Sequence, residues 1–264
     1  MLPAFYIAHG TPGLAIEQHA YTEFLQKLGK SLPLPRAIAV FSAHWESPVQ
    51  RISSAVHPRT LHAFAGYPPK LHDMKYPSRG DLTLSLQIRQ LFEAEGIGCE
   101  LDDDRGLDHG VWGPLSHMYP AAQIPVVALS VNPRLTAEEH YRIGAALGSL
   151  READVLVLGS GGTVHNLRRL DRNDPVPQLW AVAFDEWLAE QLDTWNLEAL
   201  LRYDERAPHA AEAVPSPGHF APLLLALGAA DEARRAKLLH HSFQMSTLSL
   251  SCWMFGGRQA LSSS

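Results

Sequence analysis

Short apolar runs that close on polar residues recur along the chain, and they set its architecture. The fullest is Ala37-Ile38-Ala39-Val40-Phe41, which opens after Pro33 and Pro35 and ends in Ser42, His44 and Glu46. A continuous apolar run of this length predicts a strand buried on both faces. The same grammar occurs over residues 2–8, which run into His9-Gly10, and over 155–158, which run into Gly159-Ser160-Gly161-Gly162-Thr163-Val164-His165. Residues 125–131 predict a further buried strand, and 50–56 and 97–101 two shorter ones. Helical stripes lie between them: Tyr21, Phe24, Leu25 and Leu28 within 17–32, and Leu84, Ile88 and Leu91 within 81–96, where Gly96 is the stop. Thr136 and Glu139 form a capping box that opens a helix running to about 152. Such alternation predicts an α/β sheet with parallel strands. Beyond His165 come helical stripes through Trp180, Phe184, Trp187 and Leu188 and over 197–206, then an apolar helix over 220–227. Two β-like stretches, 237–244 and 248–255, close the fold. The expected architecture is one α/β domain over 1–256, with a central, mostly parallel or mixed sheet flanked by helices and a loose tail over 257–264.

Composition narrows the function. With 46% apolar and 19% charged residues the chain is that of a well-buried globular protein. Its formal charge of −6 excludes non-specific nucleic-acid binding, which needs a basic face. No apolar run approaches the roughly 20 residues that span a bilayer. The amino terminus enters a strand at once, without the pattern of a secretory leader, so a cytoplasmic location is expected. Cys99 and Cys252 form neither a disulfide framework nor a metal knuckle and are read as packing residues. Histidine is the unusual count, at 14.

Position makes some of these histidines informative. In an open α/β sheet the carboxyl ends of the strands face the ligand crevice, and His9, His44 and His165 each follow a buried strand. His219 directly precedes the apolar helix after Pro215 and Pro217, and His109 lies between Asp108 and Gly110 in what reads as a hinge or catalytic loop. The remaining histidines have no such context and are assigned to surface or packing. The Gly159-Ser160-Gly161-Gly162 run lacks the spacing of a dinucleotide fingerprint or a P-loop, and Ser160 is not in a nucleophile elbow. It reads as a tight turn that places His165. Three neutral imidazoles can hold Zn(II) with one position open for water, or Fe(II) with several open, while a further histidine moves protons near neutrality.

These histidines belong to a longer ordered set of motifs. It comprises His9-Gly10, Ser42-Ala43-His44-Trp45, Pro58-Arg59-Thr60, Asp73-Met74-Lys75-Tyr76-Pro77, Asp108-His109-Gly110-Val111-Trp112-Gly113, Met118-Tyr119-Pro120, Val164-His165-Asn166-Leu167 and His219-Phe220-Ala221-Pro222-Leu223-Leu224. Over essentially its whole length the chain resembles the class III extradiol ring-cleaving dioxygenases related to the LigB subunit, in particular the DOPA 4,5-dioxygenase branch. The resemblance implies one mononuclear, non-haem divalent metal with His9, His44 and His219 as ligands. It also implies His165 as catalytic base and a candidate additional ligand, with His109 beside substrate and oxygen. Better-known extradiol enzymes use two histidines and a carboxylate, whereas this branch has histidine at the third position, which leaves the metal open between Fe(II) and Zn(II). The implied reaction opens a small catechol with O2 to a semialdehyde. Tyr119 and Tyr67 are expected to contact substrate, and the loop over 57–80, with Phe64, Tyr67 and Tyr76, to cover the site. The expected partners are a catechol and O2, with neither nucleic acid nor membrane, and a homo-oligomer is left open. Two rival readings remain: a zinc hydrolase of a small ester or amide with His165 as base, and a binding module without catalysis.

Overall fold

Eight strands form one mixed sheet in the computed structural model, which describes residues 1–257. In chain order they are β1 (Ala4–Ala8), β2 (Ala37–Glu46), β3 (Gln50–Ser53), β4 (Cys99–Asp102), β5 (Val126–Val131), β6 (Val155–Gly161), β7 (Ala236–Gln244) and β8 (Leu248–Phe255). Their spatial order is β4-β3-β5-β2-β6-β1-β8-β7. The central strands β5, β2, β6 and β1 run parallel, as the alternating pattern predicts. Antiparallel pairing flanks this core: β8 pairs against β1 and forms a hairpin with β7, while β3 pairs against β5 and carries β4 parallel to itself. Residues 258–264, most of the expected tail, lie outside the described residues.

The helices are α1 (Ala20–Ser31), α2 (Pro69–His72), α3 (Leu82–Ala94), α4 (His109–Met118), α5 (Ala137–Ala145), α6 (Leu179–Asp193), α7 (Leu197–Leu201), α8 (Tyr203–Arg206), α9 (Ala210–Ala213) and α10 (Ala221–Gly228). Successive strand residues point to opposite faces, which divides the core in two. Phe5, Ile7, Ile38, Val40, Leu156 and Leu158 pack with Tyr21 and Leu25 of α1 and Val111 and Trp112 of α4. Tyr6, Ala39, Phe41 and Val157 pack with Ile88 of α3, Phe184 of α6 and Leu224 of α10. Helix α10 is buried along its whole length, which is why its sequence is apolar all round. Thr136 forms the expected capping box of α5, although that helix stops at Ala145 and a separate 3-10 turn covers Gly148–Ala153. Cys99 and Cys252 are both free. Among the described residues no helix is long and apolar enough to cross a membrane.

Two expectations are corrected. The stretch around His109 is the helix α4, not a loop: Asp108 is its N-cap and accepts the Gly110 N–H at 2.9 Å. Gly110, Gly113 and Pro114 hide this helix because each is a breaker on local grounds. Likewise Gly159-Ser160-Gly161 is not a turn but the end of β6, which stays in register with β1 and β2. Its glycines answer a tertiary demand, the close approach of another backbone. A Cβ at Gly159 would lie 1.9 Å from the Pro222 carbonyl oxygen, and one at Gly161 would lie 2.2 Å from that of His219.

Candidate metal centre

The carboxyl ends of the parallel strands bring the five singled-out histidines together. His9 follows β1, and its N–H donates to the Gly161 carbonyl at 3.1 Å, extending the ladder with β6. His44 stands near the end of β2, where the register with β5 slips between Phe41 and Glu46. His165 lies beyond β6, its N–H donating to the Ala213 carbonyl at 3.0 Å. His219 ends a 3-10 turn before α10, and its carbonyl accepts the Gly162 N–H at 2.8 Å. His109 is the first residue of α4.

His9 is the hub. Its ring centroid lies 4.6 Å from that of His44, 5.3 Å from His219, 5.8 Å from His109 and 6.3 Å from His165. The His165 and His219 rings are stacked at 3.6 Å, and those of His44 and His109 lie 4.0 Å apart. The Nε2 atoms of His9 and His44 face each other at 3.0 Å. Ligands at about 2.0–2.1 Å from a shared ion stand about 3 Å apart, so this spacing suits a common metal. Two triads have ligand nitrogens all within 4.8 Å of one another, His9 with His165 and His219, and His9 with His44 and His109. The expected set of His9, His44 and His219 bridges the two, and its His44 and His219 centroids are 4.9 Å apart. The His219 Nε2 is buried without a hydrogen-bond partner, as a nitrogen reserved for a cation would be. The donor set thus fits a single divalent ion.

A buried relay sets the His9 tautomer. The Ser160 hydroxyl donates to the Gly110 carbonyl at 2.5 Å, so its oxygen is left to accept from His9 Nδ1 at 3.2 Å. That carbonyl is free because residue 114, four positions on in α4, is a proline with no N–H to offer it. With Nδ1 carrying the proton, the His9 Nε2 lone pair faces the centre. Ser160→Ala is expected to weaken metal affinity by about 10–100-fold. Competition with a chelator measures this, and unchanged affinity would refute the relay. On the other side, Asp108 accepts from Ser42 Oγ at 2.8 Å and from Arg105 at 2.7 Å, and Arg105 also donates to the His44 carbonyl at 3.3 Å. These bonds tie β2 to the start of α4.

All five rings are held neutral. Burial comes first among the causes in each case and is reinforced by neighbouring imidazoles: His109 is pushed down to about 3, His165 to about 4, and His9 and His219 well below their ordinary value. For His44, burial outweighs the opposing pull of Asp108. In the unfolded chain each returns to about 6.5. Below that pH the unfolded state binds protons that the folded cluster refuses, so a depressed histidine contributes stability that is complete above about pH 6.5 and declines as pH falls toward the folded value. The metal-free protein is therefore expected to lose stability between about pH 6.5 and 4, each such histidine contributing up to about 1.4 kcal/mol per pH unit. Urea unfolding across this range tests it; a profile no steeper than that of a His165→Gln, His109→Gln variant would contradict it.

The centre opens into a cavity of about 720 Å³. Phe64 and Tyr67 of the 57–80 loop line it, the Phe64 ring meeting His109 edge-on at 5.7 Å, together with Leu167, Leu170, Asp171, Arg172 and Asn173. Tyr119 is not among the lining residues: it is buried at the end of α4, and its carbonyl accepts from the Tyr76 hydroxyl at 3.1 Å. Both of these tyrosines are buried. A second cleft of about 400 Å³ beside Gln50 and Arg142 contains none of the five histidines. The reading from sequence missed the place of Ser160 beside His9, whose signal was a lone hydroxyl between strand glycines.

The description "catalytic LigB subunit of aromatic ring-opening dioxygenase" belongs to the family model that matches residues 3–256. The chain belongs to this family. Among its relatives, a 4,5-DOPA dioxygenase extradiol of Beta vulgaris is 37% identical, with 95% of each chain covered. One of the same name from Escherichia coli K12 is 36% identical over 94% of this chain and 93% of its own. The crystal structure of an uncharacterised protein of Escherichia coli K12 superposes with a TM-score of 0.84 at 33% identity, covering 97% of this chain and all of that one. This LigB-family chain is accordingly a non-haem extradiol ring-cleavage dioxygenase, and the family uses one metal ion and O2 on a small aromatic substrate.

Proposed function

We propose that the protein opens the ring of a DOPA-like catechol with O2, using one Fe(II) held by His9, His44 and His219. The observation that carries this reading is the convergence of five neutral imidazoles on one centre, with the His9 Nε2 lone pair turned inward by Ser160 and the other four histidines lining the cavity. The names of the relatives support the DOPA-like substrate. A divalent ion bound here supplies Lewis acidity toward the catechol oxygens, and Fe(II) adds redox chemistry that Zn(II) lacks.

The chain's own groups do the rest. His165 and His109 face the cavity and are neutral, so each can take a proton from a catechol hydroxyl at Nδ1 or Nε2 and return it later. His165, stacked on His219, is the base, and His109, edge-on to Phe64, serves the oxygen side. Phe64 and Tyr67 pack against the aromatic ring and keep water from it. The test is anaerobic loading with Fe(II) or Zn(II), followed by O2 and a panel of catechols. Oxygen uptake with a coloured ring-opened product is expected only with Fe(II). No uptake with any catechol would overturn the reading, and metal-dependent ester hydrolysis without oxygen would replace it with the hydrolytic alternative.

A further inference from the structure

The cavity is larger than a catechol ring requires. Its roughly 720 Å³ falls in the range that houses drug-sized ligands, so with the diol at the histidines there is room for a substantial side chain. The chemistry of the remaining lining then decides which tail is accepted. Among the lining residues Arg172 is the one permanently cationic side chain. It is exposed and has no carboxylate partner among the ion pairs of the described residues, whereas Arg169, on the same segment, is paired with Glu212.

The backbone that carries Arg172 is anchored on both sides. Asp171 N–H donates to the Met245 carbonyl at 3.1 Å, and the Asp171 carboxylate accepts the Asn173 N–H at 2.9 Å. That carboxylate is engaged in the turn and makes no ion pair with the neighbouring guanidinium. The net charge of −6 repels an anionic substrate at long range, so selection of an anion has to come from a local cation.

We propose that Arg172 binds a carboxylate on the substrate's side chain, making the enzyme selective for catechols with an anionic tail. This rests on the dioxygenase reading. It adds a second recognition point in the same cavity, since a planar guanidinium can donate two hydrogen bonds to a carboxylate.

The test compares 3-(3,4-dihydroxyphenyl)propionate, 4-methylcatechol and dopamine as substrates of the Fe(II)-loaded full chain. The wild type should rank them in that order by kcat/KM. In Arg172→Gln, the ratio of kcat/KM for the propionate to that for 4-methylcatechol should fall by about tenfold or more, the size of a hydrogen bond to a charged group. Arg172→Glu should lower it further and raise the relative rate on dopamine, while Arg172→Lys should keep part of it. The loss should appear in KM, and the wild-type preference should weaken with added salt. The ratio is internal to each variant, so a change in metal loading does not mimic the effect. An unchanged ratio in Arg172→Gln and Arg172→Glu would overturn the inference while ring opening persists. Failure of the wild type on all three catechols would instead count against the dioxygenase reading itself.

Discussion

Replacing His9 with alanine is expected to abolish metal retention and, with it, oxygen uptake on every catechol. The reason is geometric. His9 belongs to both triads whose nitrogens can share an ion, so without it neither set of three survives, whereas the loss of any other histidine leaves one triad whole. Affinity should fall by more than the about 10–100-fold associated with outer partners of a ligand, because here the ligand itself is lost. His165→Ala makes the contrast: it leaves the His9, His44 and His109 triad and should retain metal while losing about 10²–10⁴-fold in rate, the range for a proton-transfer group. Metal content after gel filtration, read beside the circular dichroism spectrum, separates the two. A His9→Ala protein that keeps one equivalent of metal would refute the shared centre.

Gly159→Ala is expected to cost about 3 kcal/mol or more, the upper end for an overpacked core. The new Cβ would lie 1.9 Å from the Pro222 oxygen and 2.7 Å from its carbonyl carbon, and backbone atoms cannot rotate away. Neither side can retreat, since β6 is hydrogen-bonded to both β1 and β2 and α10 is buried throughout. The opposing gain from a less flexible unfolded chain is only about 0.4–1 kcal/mol, so the clash wins. Separating β6 from α10 also draws His165 away from His219, and metal affinity should drop along with stability. Urea denaturation measures the first effect; a loss below about 1 kcal/mol would show that this contact yields more readily than its geometry allows.

Much of this was legible along the chain. The parallel core strands, the capping box at Thr136, the buried helix after His219 and the strand-end positions of His9 and His44 were each written in local pattern, because burial on one or both faces imposes a periodicity on residue type. What misled was also local. Gly110, Gly113 and Pro114 read as loop, and Gly159 and Gly161 read as turn, because these residues are helix or strand breakers unless something distant compensates. In both places something does. The carbonyl that Pro114 leaves without a helical donor accepts the Ser160 hydroxyl, and the missing side chains of β6 admit the backbone of residues 219–222.

By itself, the amino-acid sequence determined the α/β class and the family and singled out the five histidines that the fold brings together, since these follow from patterns that repeat within a strand or helix and from motifs kept in order. Only the tertiary structure decided that His9 is common to both nitrogen triads, that Ser160 and Pro114 fix its tautomer, that Tyr119 is buried outside the cavity lining and that Arg172 belongs to that lining. Those facts depend on contacts between residues far apart in the chain, and hydrophobic periodicity carries no record of which distant backbone will approach or which hydroxyl will find a free carbonyl.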